Sequence, residues 1–510
     1  NKAPKGPVFV NGGAWGRKRA FCPEERRVMK KTICLLIAAM FLVPVIAGCG
    51  KGGGTGTGTT APGESRDGFY PNVPNVDYKG ATFRLMGRSE DANWGELGLF
   101  SDGSDSTVLN DAVYDRNCRV EYDCNIKIEQ VRVDDALASG GAFYDILLAN
   151  TLASDYIADI CCAGLIDACS LVTKNLFYDL KTVPYIDLEA EWWQQKINRS
   201  VSILNRQYFG FNDMMLNDKR DTYLIYFNKN TFSDNGLDYP YRYVYDGTWT
   251  NDKMLDIVRT YGGADVNSNG ICDPEDKIGY TYLLNDTFFV GAGITGAALD
   301  ENGYPYMLGC SEKTVTVYDR INELINIRPY APYNFGDLET ARTCFDDGGL
   351  FMNFHMFHMM EVASTYQSDV GIVPCPKYSE EQTEYYSRAG YNGATAVTIL
   401  SSVPDPERAG IVLEIFAAES KNYISPAFYK KLFTDRYTND EESKEMLDIV
   451  IKSEIIDLDQ VFKWGELLVA ASAAAARGGS AARVYDRLLP GAKARLEKTV
   501  DEYSALESAG

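Results

Sequence analysis

The chain has 510 residues, 45% of them hydrophobic and 12% aromatic, which suffices for a large core and more than one lobe. A formal net charge of -21 gives a surface that repels nucleic acid and anionic headgroups, so no nucleic-acid partner is expected. Only two histidines occur, His355 and His358, in the apolar run FMNFHMFHMM; this argues against Ser-His-Asp or Cys-His catalysis and reads as core packing.

Met29 to Cys49 has the composition of an export signal. Lys30 and Lys31 form a cationic start, Thr32 to Val45 an apolar run, and Ile46-Ala47-Gly48-Cys49 a small-residue end. The run fits the ~7–15 residues of a signal core and falls short of the ~20 that span a bilayer. The ending resembles a bacterial lipobox, so Cys49 is expected to carry the lipid once residues 29–48 are removed. Residues 1–28 read as an over-called start; alternatively Arg26-Arg27 belongs to a twin-arginine signal. Residues 49–77, rich in Gly, Thr and Ser, read as lipid anchor and flexible tether. The expected location is the extracellular face of the cytoplasmic membrane.

Alternation begins at Tyr78. Tyr78 to Gly87 reads as a strand, and LNDAVYDRNCRVEYDCNIKIEQVRV as a helix followed by a strand. Ala142 to Ala149 reads as a short apolar strand and Asp155 to Ala168 as a helix. This βαβα order predicts a parallel sheet with helices on both faces. Farther on, YLIYFNKNTF reads as a strand, GTWTNDKMLDIVRTYG as a helix capped by Thr250 or Asn251, and SDVGIVPCPK as a strand. From Pro406 onward the chain reads as mostly helical. Cysteines beyond Cys49 read mostly as small buried hydrophobes, with one or two disulfides left open.

Several segments in order, VLNDAVYDRNCRVEYDCNIKI, FYDLKTVPYIDLEAEWW, YLIYFNKNTF followed by GTWT, DVGIVPCPKY, SPAFYKKL and MLDIV, together resemble the sugar-binding, maltodextrin-type extracellular solute-binding proteins of ABC importers. The resemblance covers nearly all of Tyr78 to Trp464. It implies an α/β, two-lobed, periplasmic-binding-protein-like fold of type II that closes on ligand about a hinge. By similarity, lobe 1 holds 78–211 plus 371–418, and lobe 2 holds 212–370 plus 419–510 with the C-terminal helices. The crossings fall near Gly210–Asp213 and Asp369–Pro376. The partners implied are a carbohydrate ligand and ABC permease subunits; the receptor is a monomer and no enzyme.

A sugar offers apolar C–H faces to aromatic rings and hydroxyls to Asp, Asn and Arg. The candidate stackers are Trp94, Trp192, Trp193 and Tyr391. Trp94 follows the first strand, where parallel sheets place ligands. Asp145, with the Asn150-Thr151 turn, is read as ending another strand, and Asp213 lies at the inferred hinge. Each tryptophan has core packing as its alternative role.

The sharpest local motif is Asp265 to Asp276, DVNSNGICDPED. Asp265, Asn267, Asn269, Asp273 and Asp276 occupy the oxygen-ligand positions of an EF-hand-type loop, with Gly270 at the tight turn and the Ile271 carbonyl. Asp276 replaces the usual Glu. Structural calcium is expected there, away from the sugar; a bare Asn/Asp/Gly turn is the alternative.

Function on this reading is capture of an oligosaccharide and its delivery to a permease. The rivals are a surface glycoside hydrolase or lyase, using a pair such as Glu189/Glu191 or Asp346/Asp347, and a binding protein for a peptide or other non-sugar solute.

Overall fold

The computed structural model describes residues 68–89, 95–104, 106–135, 139–269, 275–326, 338–356, 366–433 and 440–507. The expected signal, Cys49 and tether residues 50–67 lie outside these, as do Trp94, His358, Ile271 and Asp273. Residues 68–77, read as the end of the tether, are instead tied to the fold, with Phe69 exchanging hydrogen bonds with Asn422 at 2.8 and 3.0 Å and Val73 and Val76 packed on the core.

The architecture is two four-stranded sheets with helices packed around them. In the first sheet β1 (Ala81–Arg88) is flanked by β2 (Ile126–Val133) and β3 (Ile160–Gly164), both parallel to it; β11 (Thr395–Thr398) then pairs antiparallel with β3. The Val108–Cys124 helix joins β1 to β2. Thr107 caps its first turn through Asn110 N–H, at 3.2 Å, and Asn125 ends it in the left-handed conformation that Asn tolerates. β3 is Ile-Cys-Cys-Ala-Gly, buried throughout, as a parallel strand covered on both faces must be.

In the second sheet β4 (Tyr223–Asn228) lies between β8 (Phe351–His355) and β9 (Val370–Val373), antiparallel to both, with β5 (Tyr280–Tyr282) parallel to β8 outside. Two small ribbons complete the strands: β6 (Ala297–Leu299) with β7 (Pro305–Met307), and β10 (Ser387–Arg388) with β12 (Glu454–Ile455). Thr250 caps the Asn251–Tyr261 helix, as its sequence predicts, and Trp249 just before it is buried with Nε1 donating to the Pro374 carbonyl at 2.8 Å.

Four sequence expectations need correction. Ala142 to Ala149 is not a strand but part of the Gly141–Leu152 helix, started where Asp135 accepts the Phe143 N–H at 2.8 Å. Asp155 to Ala168 is not one helix; it runs through a loop, β3, and the start of the Leu165–Val172 helix. Val370–Val373 stays in the second sheet, so the chain re-enters the first only at β11, later than Gly371. A cut at residue 418 would also fall inside the continuous Pro406–Phe433 helix, which packs on the Val108–Cys124 helix of the first sheet.

The final helix, Ala481–Glu507, packs on β7 and the Leu467–Ala475 helix, and Tyr503 meets Tyr208 edge-on at 5.6 Å. The eight described cysteines are thiols, seven of them buried, so no disulfide forms among them. No described helix is long and apolar enough to cross a membrane.

Candidate ligand-binding site

The parallel strands of the first sheet end together, and buried polar side chains gather there. Arg88, the last residue of β1, lies with Nε 3.5 Å from Glu96 Oε1, both side chains buried. Burial pushes the Glu96 carboxyl up to about 7 against the pull of Arg88. Just past β3, Asp167 accepts the Gly140 N–H at 2.7 Å and is pushed up to about 6, again by burial. Past β2, Asp135 anchors the neighbouring turn. Gly141 has φ +73°, and a Cβ there would meet the Asp135 carboxylate at 2.7 Å, so glycine is required for the turn to close.

The other half of the cluster comes from the second sheet's side. Arg388, on β10, binds Asp286 at 2.8 Å, and its guanidinium carbon lies 4.9 Å from the Tyr223 ring centre and 4.8 Å from that of Tyr391. Gln460 donates to the same Asp286 oxygen at 3.0 Å. Lys463, three residues beyond Gln460, is one of the charges that act on Asp167. The arrangement supplies acceptors, donors and aromatic faces from two bodies, the chemistry that a polyhydroxylated solute needs.

The chain crosses between the sheets in the segment 211–222. Asn217 Nδ2 reaches the Gly95 carbonyl at 3.2 Å and Thr395 Oγ1 at 3.3 Å on the strand-end side. Asp213 faces the other way, with Lys219 at 2.9 Å and Lys421 at 3.2 Å. Burial alone would raise the Asp213 carboxyl; the two ammonium groups outweigh it and hold it well below the usual range. Gly390, on the return crossing, packs so closely that a Cβ would meet Asp221 Cβ at 2.0 Å. On the Asp213 side lies a cavity of about 410 Å³, lined by Trp193, Gln194, Lys196, Asp213, Lys452 and Glu454 among others.

The residues put forward from sequence are dispersed. Tyr391 joins the Arg388 cluster. Asp145 does not end a strand; it is exposed on the Gly141–Leu152 helix. Trp192 and Trp193 both donate their indole N–H to Glu414, at 2.7 and 3.0 Å, and Trp193 is buried. Trp193 and Asp213 meet at the cavity just described, not at the strand ends. His355 packs between the rings of Tyr223 and Phe354, and burial pushes it down to about 3. Arg88, Glu96 and Asp167 escaped the sequence reading, although a strand-end rule applied to Arg88 would have found them. Arg388 and Asp286 carry no sequence signal, because a two-residue strand and a loop bring them together.

In the acidic loop, Ala264 and Lys277 pair antiparallel and close its ends. The Asn269 N–H donates to Asp265 Oδ1 and to Asn267 Oδ1, each at 3.1 Å, and the Val266 N–H donates to Asp276 Oδ1 at 3.0 Å. The remaining expected donors, Ile271 and Asp273, lie outside the described residues.

No family model matches the chain, and no curated protein matches it by sequence. Solved structures match its fold. The cyclic alpha-maltosyl-1,6-maltose binding protein of Arthrobacter globiformis has a TM-score of 0.56 at 12% identity, covering 82% of this chain and 99% of that one. A cyclo/maltodextrin-binding protein complexed with maltotetraose gives a TM-score of 0.56 at 12% identity, covering 82% and 98%. The galacto-N-biose-/lacto-N-biose I-binding protein of a Bifidobacterium longum ABC transporter gives 0.52 at 12% identity, covering 84% and 98%. The fold is therefore the two-lobed α/β fold of solute-binding proteins.

Proposed function

We propose that this chain is a carbohydrate-binding receptor of an ABC importer, holding an oligosaccharide between its lobes and passing it to a permease without chemistry. The observation that carries the reading is the split cluster: Arg88, Glu96 and Asp167 at the strand ends of one sheet, with Arg388, Tyr391 and Lys463 on the other side. The solved proteins of this fold named above bind sugars, which supports the same ligand class here. Lobe closure about the 211–222 segment would bring the two halves onto the ligand.

The test is calorimetric titration of neutral oligosaccharides, maltotetraose and lacto-N-biose among them, with short peptides as the control. Saturable binding of a saccharide that weakens at least tenfold in Arg88→Gln is the expected result. Binding of peptides alone would replace sugar by a different solute. Hydrolysis of the titrated saccharide would turn the reading into the enzyme.

Two further parts belong to this proposal. Lipidation of Cys49 is motivated by the small-residue ending of its apolar run; Cys49→Ser should release the protein from the membrane fraction, and retention there would refute the anchor. Structural calcium in the loop from Asp265 to Asp276 is motivated by its ligand spacing and by the Ala264–Lys277 closure.

A further inference from the structure

The cavity beneath the crossing segment has a composition at odds with the rest of the chain. Acidic residues outnumber basic ones 71 to 50 overall. Yet Lys196, Lys219, Lys421 and Lys452 all line this one space of about 410 Å³, a volume within the usual range for small-molecule sites. Three carboxylates line the space with them, exposed Glu191, Asp213 and Glu454, and the last two are already committed. Asp213 is taken by Lys219 and Lys421. Glu454 accepts the Thr222 hydroxyl at 2.6 Å, and burial raises its carboxyl above the usual range. Lys196 lies on the Tyr386 ring at 4.8 Å, and the contact of Lys452 with Asp448 is an exposed pair at 3.5 Å, of the kind that contributes little.

Two neighbours complete the site. Gln194 lines the cavity with its carboxamide nitrogen and oxygen both buried, and neither is hydrogen-bonded among the described residues. Such a group gains when a ligand brings it a donor and an acceptor. Trp193 gives its N–H to Glu414, so toward the cavity it has only ring to offer.

We propose that this cavity is a second ligand site, separate from the strand-end cleft, for a small organic anion. Its carboxylate or phosphate pairs with Lys196 and Lys452, its hydroxyls meet Gln194, and its carbon skeleton lies on Trp193. The cavity shares no lining residue with the strand-end cluster, and the 211–222 segment stands between the two. Residues 193–197 belong to one side and 451–454 to the other, so an occupant touches both.

The experiment is calorimetric titration of the purified protein with inorganic phosphate, glucose 6-phosphate, glucuronate and glucose, at ionic strength matched with sodium chloride. At least one anionic probe should bind saturably and at least tenfold more tightly than glucose; the phosphate and glucuronate arms decide which acid group is read. The K196Q/K452Q variant changes two outward-facing lysines and leaves the Asp213 network whole, so it should fold. It should lose at least tenfold in affinity for that probe while binding any saccharide of the cleft as the wild type does. Four results overturn the proposal: no anionic probe binds, glucose binds equally, sodium chloride reproduces the effect, or K196Q/K452Q binds unchanged. Loss of cleft saccharide binding in K196Q/K452Q would merge the two sites and end the claim that they are separate.

Discussion

Glu414 shows how a single side chain decides the role of two others. Adjacent tryptophans invite a reading as sugar platforms, because a ring face suits a sugar and the sequence does not say where the indole N–H goes. The structure sends both N–H groups to the two oxygens of one buried carboxyl on the Pro406–Phe433 helix. That helix lies more than two hundred residues away in sequence, beyond the reach of any local pattern. Glu414→Ala would leave two indole N–H groups without their acceptor. The expected cost is about 2–6 kcal/mol, at roughly 1–3 for each donor stripped of its partner, with half-buried Trp192 at the lower end, read from the urea midpoint. Glu414→Gln keeps one acceptor and should cost less. A Glu414→Ala protein as stable as wild type would return the tryptophans to the list of candidate platforms.

At the scale of elements, local chemistry was legible where it was self-contained. The Val108–Cys124 and Asn251–Tyr261 helices carry Thr caps and end at Asn125 and Gly262. β4 and β9 stand out as aromatic and β-branched runs, and β1 as an alternating one. The strand expected at Ala142 to Ala149 fails because a short apolar run has no decisive period, and the helix start is marked by the Asp135 carboxylate, eight residues before Phe143 and outside the run itself. β3 was hidden for the opposite reason: two cysteines and an alanine look like a helix face until they are buried on both sides.

The acidic loop is also an element-scale case. Its geometry is local, so its sequence motif is informative on its own terms. If the loop closes as its motif implies, Asp265, Asp273 and Asp276 would repel one another, and calcium would remove that repulsion and bind only the folded chain. The melting temperature should be higher in millimolar calcium than in EDTA, and Asp265→Ala should abolish the difference. Equal melting of the wild type in both solutions would leave only an Asn-rich turn.

At the scale of the molecule, buried carboxyls set the pH response. Glu96 and Glu414 are each pushed up to about 7 by burial, and Glu454 is raised as well. In the native state these groups hold protons that the unfolded chain, with ordinary carboxyls near 4, has already lost. Stability therefore falls as pH rises through that interval and is recovered on acidification. His355 works in the opposite sense, since it is neutral in the fold and charges in the unfolded chain below about 6.5. Between pH 8 and 6.5 the carboxyls dominate, so melting temperature should rise as pH is lowered, and Glu96→Gln should flatten the slope. A melting temperature that falls over this range would mean that these carboxyls are ionised in the native protein. The two-lobed plan was legible as a resemblance, but the re-entry point was not. Which sheet Val370–Val373 joins depends on β4, far back in the chain.

The late arrival of β11 has a consequence for how the protein is made. β3 ends at Gly164, and the strand that covers its outer edge begins at Thr395, after the whole second sheet has been synthesised. In a chain emerging N-terminus first, the hydrogen-bonding groups of Cys161, Cys162, Ala163 and Gly164 wait uncovered through all of that interval. An apolar open edge is a template for intermolecular pairing, and the delay lengthens the exposure. The first lobe is therefore expected not to mature as an independent unit while the rest is still being synthesised; it depends on the second half following promptly. A fragment ending at Cys375 is expected to aggregate or remain unfolded, whereas one extending through Phe433 supplies both β11 and the helix packed behind it. Light scattering and thermal melting of the two fragments would tell, and a monomeric, cooperatively melting shorter fragment would show that β1 to β3 need no late partner.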